Sequence, residues 1–377
     1  MRTWRIVNDI TTLSPEQWQL LDTRNNPFLS YAFISGLERF DCLKNQHWQP
    51  THIVIEENQQ LLGVMPLYIK QDSYGEFVFD WAWADAYHHA GRPYYPKLVS
   101  AVPFTPVAGS RLMVREQQNK NEIRNELIQA AISLMDRDQF SSLHVLFPDS
   151  EDVNVLLGNS GLKRLTCQYH WFNQNYRDFK DFTGSLSSKK RKKILKERRE
   201  IQNSGIKIEK LTGKEICPEH WDIFYRFYCA TFYSKWGEPR FTPDFFRFLG
   251  IELSEQTLLI LAKQDNEYIA GAFAMNDNDT LYGRHWGCSR HVPFLHFELC
   301  YYQTIEYTIE SGLKKLDAGV QGEHKLARGF HPVAMPSAHW ICDTDFRRAI
   351  SDYLKRETVM MQEHIAMLET HLPYKAN

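Results

Sequence analysis

This 377-residue sequence contains no Cys-x-x-Cys pair, and its seven cysteines are scattered from Cys42 to Cys342. An odd, unpatterned set excludes a disulfide framework and a zinc ribbon, and places the chain in a reducing cytoplasm. No run of about 18 apolar residues is present, which excludes a membrane-spanning helix. The start, Met1-Arg2-Thr3-Trp4-Arg5-Ile6, is basic but lacks the apolar core and small-residue cleavage site of a secretion signal. Formal net charge is only −2, so no overall excess of base marks a nucleic-acid protein. What is present is 43% hydrophobic and 24% charged residues, the mixture of a globular protein long enough for two cores. Aromatic residues are abundant at 14%, with ten tryptophans.

The small total charge conceals an uneven distribution. Residues 189–200 read Lys-Lys-Arg-Lys-Lys-Ile-Leu-Lys-Glu-Arg-Arg-Glu, a net +6, which leaves −8 for the rest of the chain. Ser187 or Ser188 can cap a helix here and Gly205 can stop it. Ile194 and Ile201, seven apart, give it a narrow apolar stripe. Five bases in the first turn oppose the helix dipole, a conflict that a bound phosphate would resolve. Lys190, Arg191, Lys192, Lys193 and Arg198 are therefore candidate contacts to a phosphate or an RNA. A plain solvated connector between two domains explains the same pattern.

The two sides of this segment repeat one grammar. His52 to Glu56, a polar turn from Glu57 to Gln60, and Leu62 to Tyr68 read as a hairpin, followed by a third strand from Phe77 to Trp83. Leu258 to Ala262, a turn at Gln264 to Glu267, Ile269 to Ala274 and Thr280 to Trp286 repeat it. Gly63 then corresponds to Gly271 and Trp81 to Trp286. In each half an amphipathic helix follows, over 121–138 and 295–312, leading into a strand at Ser142 to Phe147 or Lys315 to Val320. The expected fold is α/β (α+β): two tandem domains, each a mixed, mostly antiparallel sheet flanked by helices. Their expected bounds are 1–180 and 206–377, joined by a basic connector over 181–205. A last helix spans 343–370, with Phe346, Ile350, Leu354, Met361, Ile365 and Leu368 on one face.

Several long motifs carry a resemblance. They include Asn26-Pro-Phe-Leu-Ser-Tyr-Ala-Phe, Ser73 to Tyr87, Tyr94-Tyr-Pro-Lys-Leu98 and Val102-Pro-Phe-Thr-Pro-Val107. Gly283-Arg-His-Trp-Gly287, Leu295 to Gln303 and Asp317 to Phe330 complete the set. With the duplicated unit, they resemble the FemAB-like branch of the GNAT (acyl-CoA N-acyltransferase) superfamily, over nearly the whole chain. The resemblance implies tandem GNAT folds and transfer of an acyl or aminoacyl group from an activated donor, acyl-CoA or aminoacyl-tRNA, to an amine. It implies a small-molecule or cell-wall-precursor acceptor and no tightly bound cofactor. One feature departs from acetyl-CoA users: Cys288 to Glu298 contains no glycine, and Pro293 removes an amide donor from the stretch that would hold pyrophosphate.

N-acyl transfer needs a base for the proton that the acceptor amine loses. Six of the fifteen histidines fall between His285 and His339. His285, Glu323 and His324 are the candidate catalytic residues, because they end strands that the repeat makes neighbours. Lys325 and Arg328 suit a carboxylate or phosphate on the substrate. Glu298, Asp317 and Gln321, within the motifs, are further candidate substrate contacts. In the first half, Trp81, Trp83 and Asp85 share one face of the expected third strand. With Tyr87 and Lys97 they form a candidate aromatic acceptor groove. His296-x-Glu298 lacks metal-ligand helix spacing, so no metal is expected. A contrasting reading is a catalytically silent tandem module that binds RNA or a protein through the basic helix.

Overall fold

The computed structural model describes residues 2–116, 119–235 and 237–375. The chain divides into two compact units, one of residues 1–166 and 334–363, the other of residues 167–333 and 364–377. The divisions fall inside two strands, Leu162–Phe172 and His331–Ile341, and inside the C-terminal helix Thr344–Glu369.

In the first unit, Arg2–Val7, His52–Glu57, Gln60–Met65 and Met113–Val114 form a four-stranded antiparallel sheet in that order. Asn58 and Gln59, both at positive φ, join the central hairpin, as a two-residue turn matched to strand twist requires. Helix Lys120–Arg137 buries Ile123, Leu127 and Leu134 against Ile53, Ile55 and Val145. A second group of strands runs Trp48–Pro50, Tyr68–Lys70, Lys97–Ser100, Ser142–Leu146 and the 334–341 stretch.

The second unit repeats the plan. Lys207–Thr212, Thr257–Gln264, Glu267–Asn276 and Thr280–Cys288 are successive antiparallel neighbours. Asp265 and Asn266 close its hairpin, again at positive φ. Helical residues from Leu295 to Glu310 lead into Lys315–Asp317, which pairs parallel to Thr280–Cys288 and antiparallel to Phe172, Trp171 and His170. One sheet face carries Leu258, Ile260, Ala270 and Ala272 in a core with Leu299, Ile305 and, from the basic helix Ser188–Asn203, Ile194 and Ile201. Helix Pro218–Tyr233 covers the other face. Its backbone comes so close that a Cβ on Gly287 would lie 1.9 Å from the Phe227 carbonyl oxygen. Gly287→Ala should therefore destabilise the second unit by about 1–3 kcal/mol, read as a lowered urea midpoint; an unshifted midpoint would refute the close packing.

The expected third strand at Phe77–Trp83 does not form. Phe77 sits at φ 63°, which ends any extended run, and Trp81–His89 is a helix. Alanines at 82, 84 and 86 favour that helix, and Trp83 and Tyr87, four apart, point inward together. The strand that follows the hairpin in this sheet is Met113–Val114, so the Trp81–Trp286 correspondence fails. The Gly63–Gly271 correspondence is out by one residue: counted from the hairpin turns Gly63 matches Ala270. An added Cβ would press on Ile123 of the following helix at Gly63 but on Phe224 of the preceding helix at Gly271, so the two glycines face opposite sides.

Candidate functional site

Parallel pairing in the second unit ends at Tyr282 and Asp317, but the longer strand runs on to Cys288. The polar groups of this unit gather where the two strands part. Asp317 is buried, 3.1 Å from Arg284 Nη2, and accepts the Gly319 N–H at 2.8 Å. Burial opposes its ionisation, yet Arg284 and His170 hold its carboxyl well below the ordinary range. Asp317 thus anchors the loop after its strand. Lys325, also buried, donates from Nζ to the carbonyls of Ala318 and Gly319 in that loop. Burial lowers its ammonium to about 8, against the pull of Asp317.

Beside Lys325, the His324 ring remains solvent-accessible and its Nε2 lies 2.9 Å from the Tyr301 hydroxyl. Partial burial and the charges of Arg328 and Lys325 push its pKa down. It is therefore neutral near pH 7 and able to take a proton. His296 lies between it and the diverging strand, its ring 6.1 Å from His324 and 5.2 Å from Trp286. The helix that supplies Tyr301 makes a π turn over Glu298–Tyr302, with the Gln303 N–H bonded to the Glu298 carbonyl. Such bulges change which side chains share a face and recur at functional sites; here Glu298, Tyr301 and Tyr302 are all buried.

Not every predicted residue joins this cluster. His285 is on the opposite sheet face, boxed by Tyr228, Phe241, Phe246 and Phe273 at ring separations of 5.0–6.3 Å. Burial pushes it to about 3. Strand alternation sends Trp286 toward His296 and His285 away, so the expected convergence of His285 with His324 does not occur. Glu323 and Gln321 are exposed. Arg328 is engaged internally, with Nε on Tyr302, Nη1 on the His324 carbonyl and Nη2 2.9 Å from the buried Glu197. Glu298 is held by Arg198 and Gln303, and Arg198 also binds Glu306 and covers the Phe179 ring. Arg198 therefore turns inward, unlike the other bases of its helix: Lys189, Lys192, Lys193 and Lys196 are exposed, at spacings that share one face. Lys190 and Arg191 are half-buried. Among the described residues no group of three His, Cys, Asp or Glu side chains gathers as a metal site.

In the first unit the expected aromatic groove is replaced by a closed network. Lys97 is fully buried and donates to Ser73 Oγ at 2.7 Å, Glu76 at 2.9 Å and Asp80 at 2.6 Å. Tyr94 donates to the same Asp80 oxygen and so presents only its lone pairs to His144 Nε2, 3.2 Å away. Ser142 Oγ lies 2.8 Å from the same nitrogen, His144 Nδ1 lies 2.7 Å from His339 Nδ1, and His339 Nε2 lies 2.8 Å from Ser337 Oγ, so the buried chain of polar contacts continues from Lys97 to Ser337. Burial keeps both imidazoles neutral, His144 at about 3. Trp83 and Tyr87 pack over this network, Trp83 edge-on to His339 and Tyr87 stacked on Phe346. Trp81 and Asp85 point outward.

Among known proteins, the FemAB-like family model, described as peptidoglycan biosynthesis/recognition, matches residues 9–376. No curated protein shows significant similarity. Of solved structures, FemX is 12% identical with a TM-score of 0.53, over 93% of this chain and all of its own. The C-terminal domain of a putative lysylphosphatidylglycerol synthetase from Agrobacterium fabrum is 10% identical, also at 0.53, over 90% of this chain and 95% of its own. A tandem GNAT protein from the clavulanic acid biosynthesis pathway is 9% identical at 0.49, over 91% and 99%. At these identities the structural likeness concerns the fold alone, but the family model spans nearly every residue, and this chain, with its two GNAT-like halves, belongs to the FemAB-like family.

Proposed function

We propose that the chain transfers an acyl or aminoacyl group from an activated donor to an amine, with the second unit as the transfer site. The observation that carries this reading is a neutral, accessible imidazole, His324, next to a buried ammonium, Lys325, where two parallel strands part. The acceptor nitrogen attacks the donor carbonyl, forming the amide bond as the ester or thioester bond breaks. His324 takes the proton the nitrogen loses, and that proton passes to the departing oxygen or sulfur. Lys325 supplies positive charge for the oxygen that becomes negative in the transition state.

The donor this geometry favours is aminoacyl-tRNA. At the place where CoA pyrophosphate would need free amides, Pro293 has none and the Leu295 N–H is bonded to the Val292 carbonyl. The exposed stripe of Lys189, Lys192, Lys193 and Lys196 suits a phosphate backbone. The acceptor is an amine on a small molecule or cell-wall precursor, and the reaction belongs to the cytoplasm, where both donors occur.

The test measures release of free tRNA and of CoA thiol with a panel of amines. His324→Ala should lower kcat about a hundredfold, whereas Lys192→Glu with Lys193→Glu should raise KM for aminoacyl-tRNA and spare turnover of a minimal aminoacyl ester. If neither donor is consumed while RNA is still retained through the lysines, the chain is a binding module and the transfer reading fails. Gly322 offers a second check on His324. It sits at φ 100°, and a Cβ there would lie 2.5 Å from the imidazole Cε1. Gly322→Ala should therefore lower kcat without altering tRNA binding.

A further inference from the structure

The basic helix Ser188–Asn203 has an inner face as well as a lysine stripe. Ile194, Glu197, Arg198 and Ile201 recur three or four residues apart, except for the adjacent charged pair, which puts them on one side of the helix. Ile194 and Ile201 are each 2% exposed and form the apolar part of that side. Between them stand a glutamate and an arginine. Two desolvated charges add no more stability than a packed apolar pair would, so what sets them apart is the placement they impose.

Both charges reach the same place. One Glu197 oxygen accepts from Arg328 Nη2 at 2.9 Å and from the Tyr302 hydroxyl. Arg328 Nη1 in turn donates to the His324 carbonyl at 2.9 Å. Arg198 donates from Nε to Glu298 Oε1 at 3.1 Å. Glu298 opens the π turn Glu298–Tyr302, in which the Tyr301 hydroxyl lies 2.9 Å from His324 Nε2. One grip therefore holds the backbone of His324, and the other holds the turn that meets its ring. Phe297 touches both partners, 3.5 Å beneath the Arg328 guanidinium and 5.6 Å, ring to ring, from the imidazole.

The segment that carries His324 needs such a hold. It is a six-residue 3-10 turn, Glu323–Arg328, a length at which hydrogen bonds within the turn give little stiffness. Gly322 and Gly329 bound it at φ 100° and 90°, where the backbone has no side chain to limit its swing. Lys325 pins the middle of the turn to the carbonyls of Ala318 and Gly319, and Tyr374 holds the Gly329 carbonyl just beyond it. The His324 carbonyl itself is held by Arg328.

We infer that Glu197 and Arg198 are positioning residues for His324: the helix that offers lysines to the donor on its outer face sets the place of the proton acceptor with its inner one. Neither side chain touches substrate, yet a shift of about 1 Å in a reacting group costs up to about a hundredfold in rate. The role given to His324 rests on the transfer reading. The placement of its ring does not, and it is measured without turnover.

The test uses the full chain, with three readouts: urea midpoint, steady-state kinetics and the His324 ring signals in proton–carbon NMR spectra, assigned by their loss in His324→Ala. Arg328→Met with Glu197→Leu removes both charges at similar volume, so the midpoint should stay near wild type. Its kcat should fall about tenfold or more, while KM for aminoacyl-tRNA holds because the lysine stripe is intact. The groups facing the imidazole are Lys325 and Arg328 from its own turn, beside the exposed Glu323, and Tyr301 and His296 from the facing helix. Arg328 is one of the charges that hold its pKa down, so in the double variant the ring signals should shift and their titration midpoint should rise. Arg328→Lys keeps the charge but has one nitrogen where arginine uses three. Its kcat should fall with the titration midpoint in place, which separates lost position from lost charge. Arg198→Met should lower kcat through the π turn. The proposal is overturned if the double variant, folded to the wild-type midpoint, keeps wild-type kcat, or if its His324 signals coincide with those of the wild type. If the wild type consumes no donor, it is the transfer reading that fails, and the ring signals still decide whether the helix places the imidazole.

Discussion

Replacing Arg328 by alanine should destabilise the second unit by about 3–5 kcal/mol, as expected when one partner of a buried ion pair is removed. Arg328 and Glu197 are each under 5% exposed, and the Phe297 ring lies 3.5 Å beneath the guanidinium. Alanine would leave the Glu197 carboxylate buried with the Tyr302 hydroxyl as its remaining close donor. It would also free the His324 carbonyl that Arg328 holds. The double change Arg328→Met with Glu197→Leu removes both charges and should recover most of the loss, because a well-packed apolar pair can equal a buried ionic one. Urea unfolding of the three proteins decides it. A single variant with wild-type stability but a raised KM would instead make Arg328 the contact to a substrate carboxylate or phosphate that its side chain suits. In the structure every face of its guanidinium already has work inside the fold.

Replacing Glu76 by glutamine should make the protein more stable above pH 7. Glu76 is raised to about 7, chiefly by burial and further by Asp80, with Lys97 and Lys70 opposing. A carboxyl whose folded pKa is raised contributes stability that is complete below its ordinary value of 4.5 and is lost as pH climbs through about 7. Over that window the wild type forgoes up to about 3 kcal/mol, at 1.36 kcal/mol per pH unit. Glutamine has no such term and keeps an oxygen for the Lys97 ammonium. Stability measured at pH 5, 6, 7 and 8 should thus show the variant gaining on the wild type as pH rises. A difference that stays flat across the series would mean Glu76 remains charged, with the single Lys97 compensating both carboxylates.

Much of the fold was legible because it is local. The hairpin turns at Asn58-Gln59 and Asp265-Asn266 announced themselves as polar pairs between apolar runs, and two-residue loops impose their conformation on the chain. Helices Lys120–Arg137 and Ser188–Asn203 followed from periodic apolar positions, whatever they pack against. The segment from Phe77 to Trp83 departs from its sequence pattern for a physical reason. Its alternating aromatics satisfy a strand pattern, but alternation is also what Trp83 and Tyr87 yield when they face inward from a helix capped by outward Trp81 and Asp85. Helix Pro218–Tyr233 carries apolar residues nearly all round, which hides its period.

The candidate site was half visible. His324 and Lys325 stood out as a polar run after a strand, and the structure keeps them at the parting of two strands. Arg328 looked equally chemical until Glu197, 131 residues away, was seen to hold it. Sequence alone determined that the chain is a duplicated α/β unit with one strongly basic helix, since period, turn chemistry and charge are properties of neighbours along the chain. Only the tertiary structure decided which charges are exposed and which are engaged. Lys97, Arg198 and Arg328 cannot be told from Lys192 or Lys193 by residue type; burial beside a carboxylate separates them, and burial is decided by residues distant in sequence.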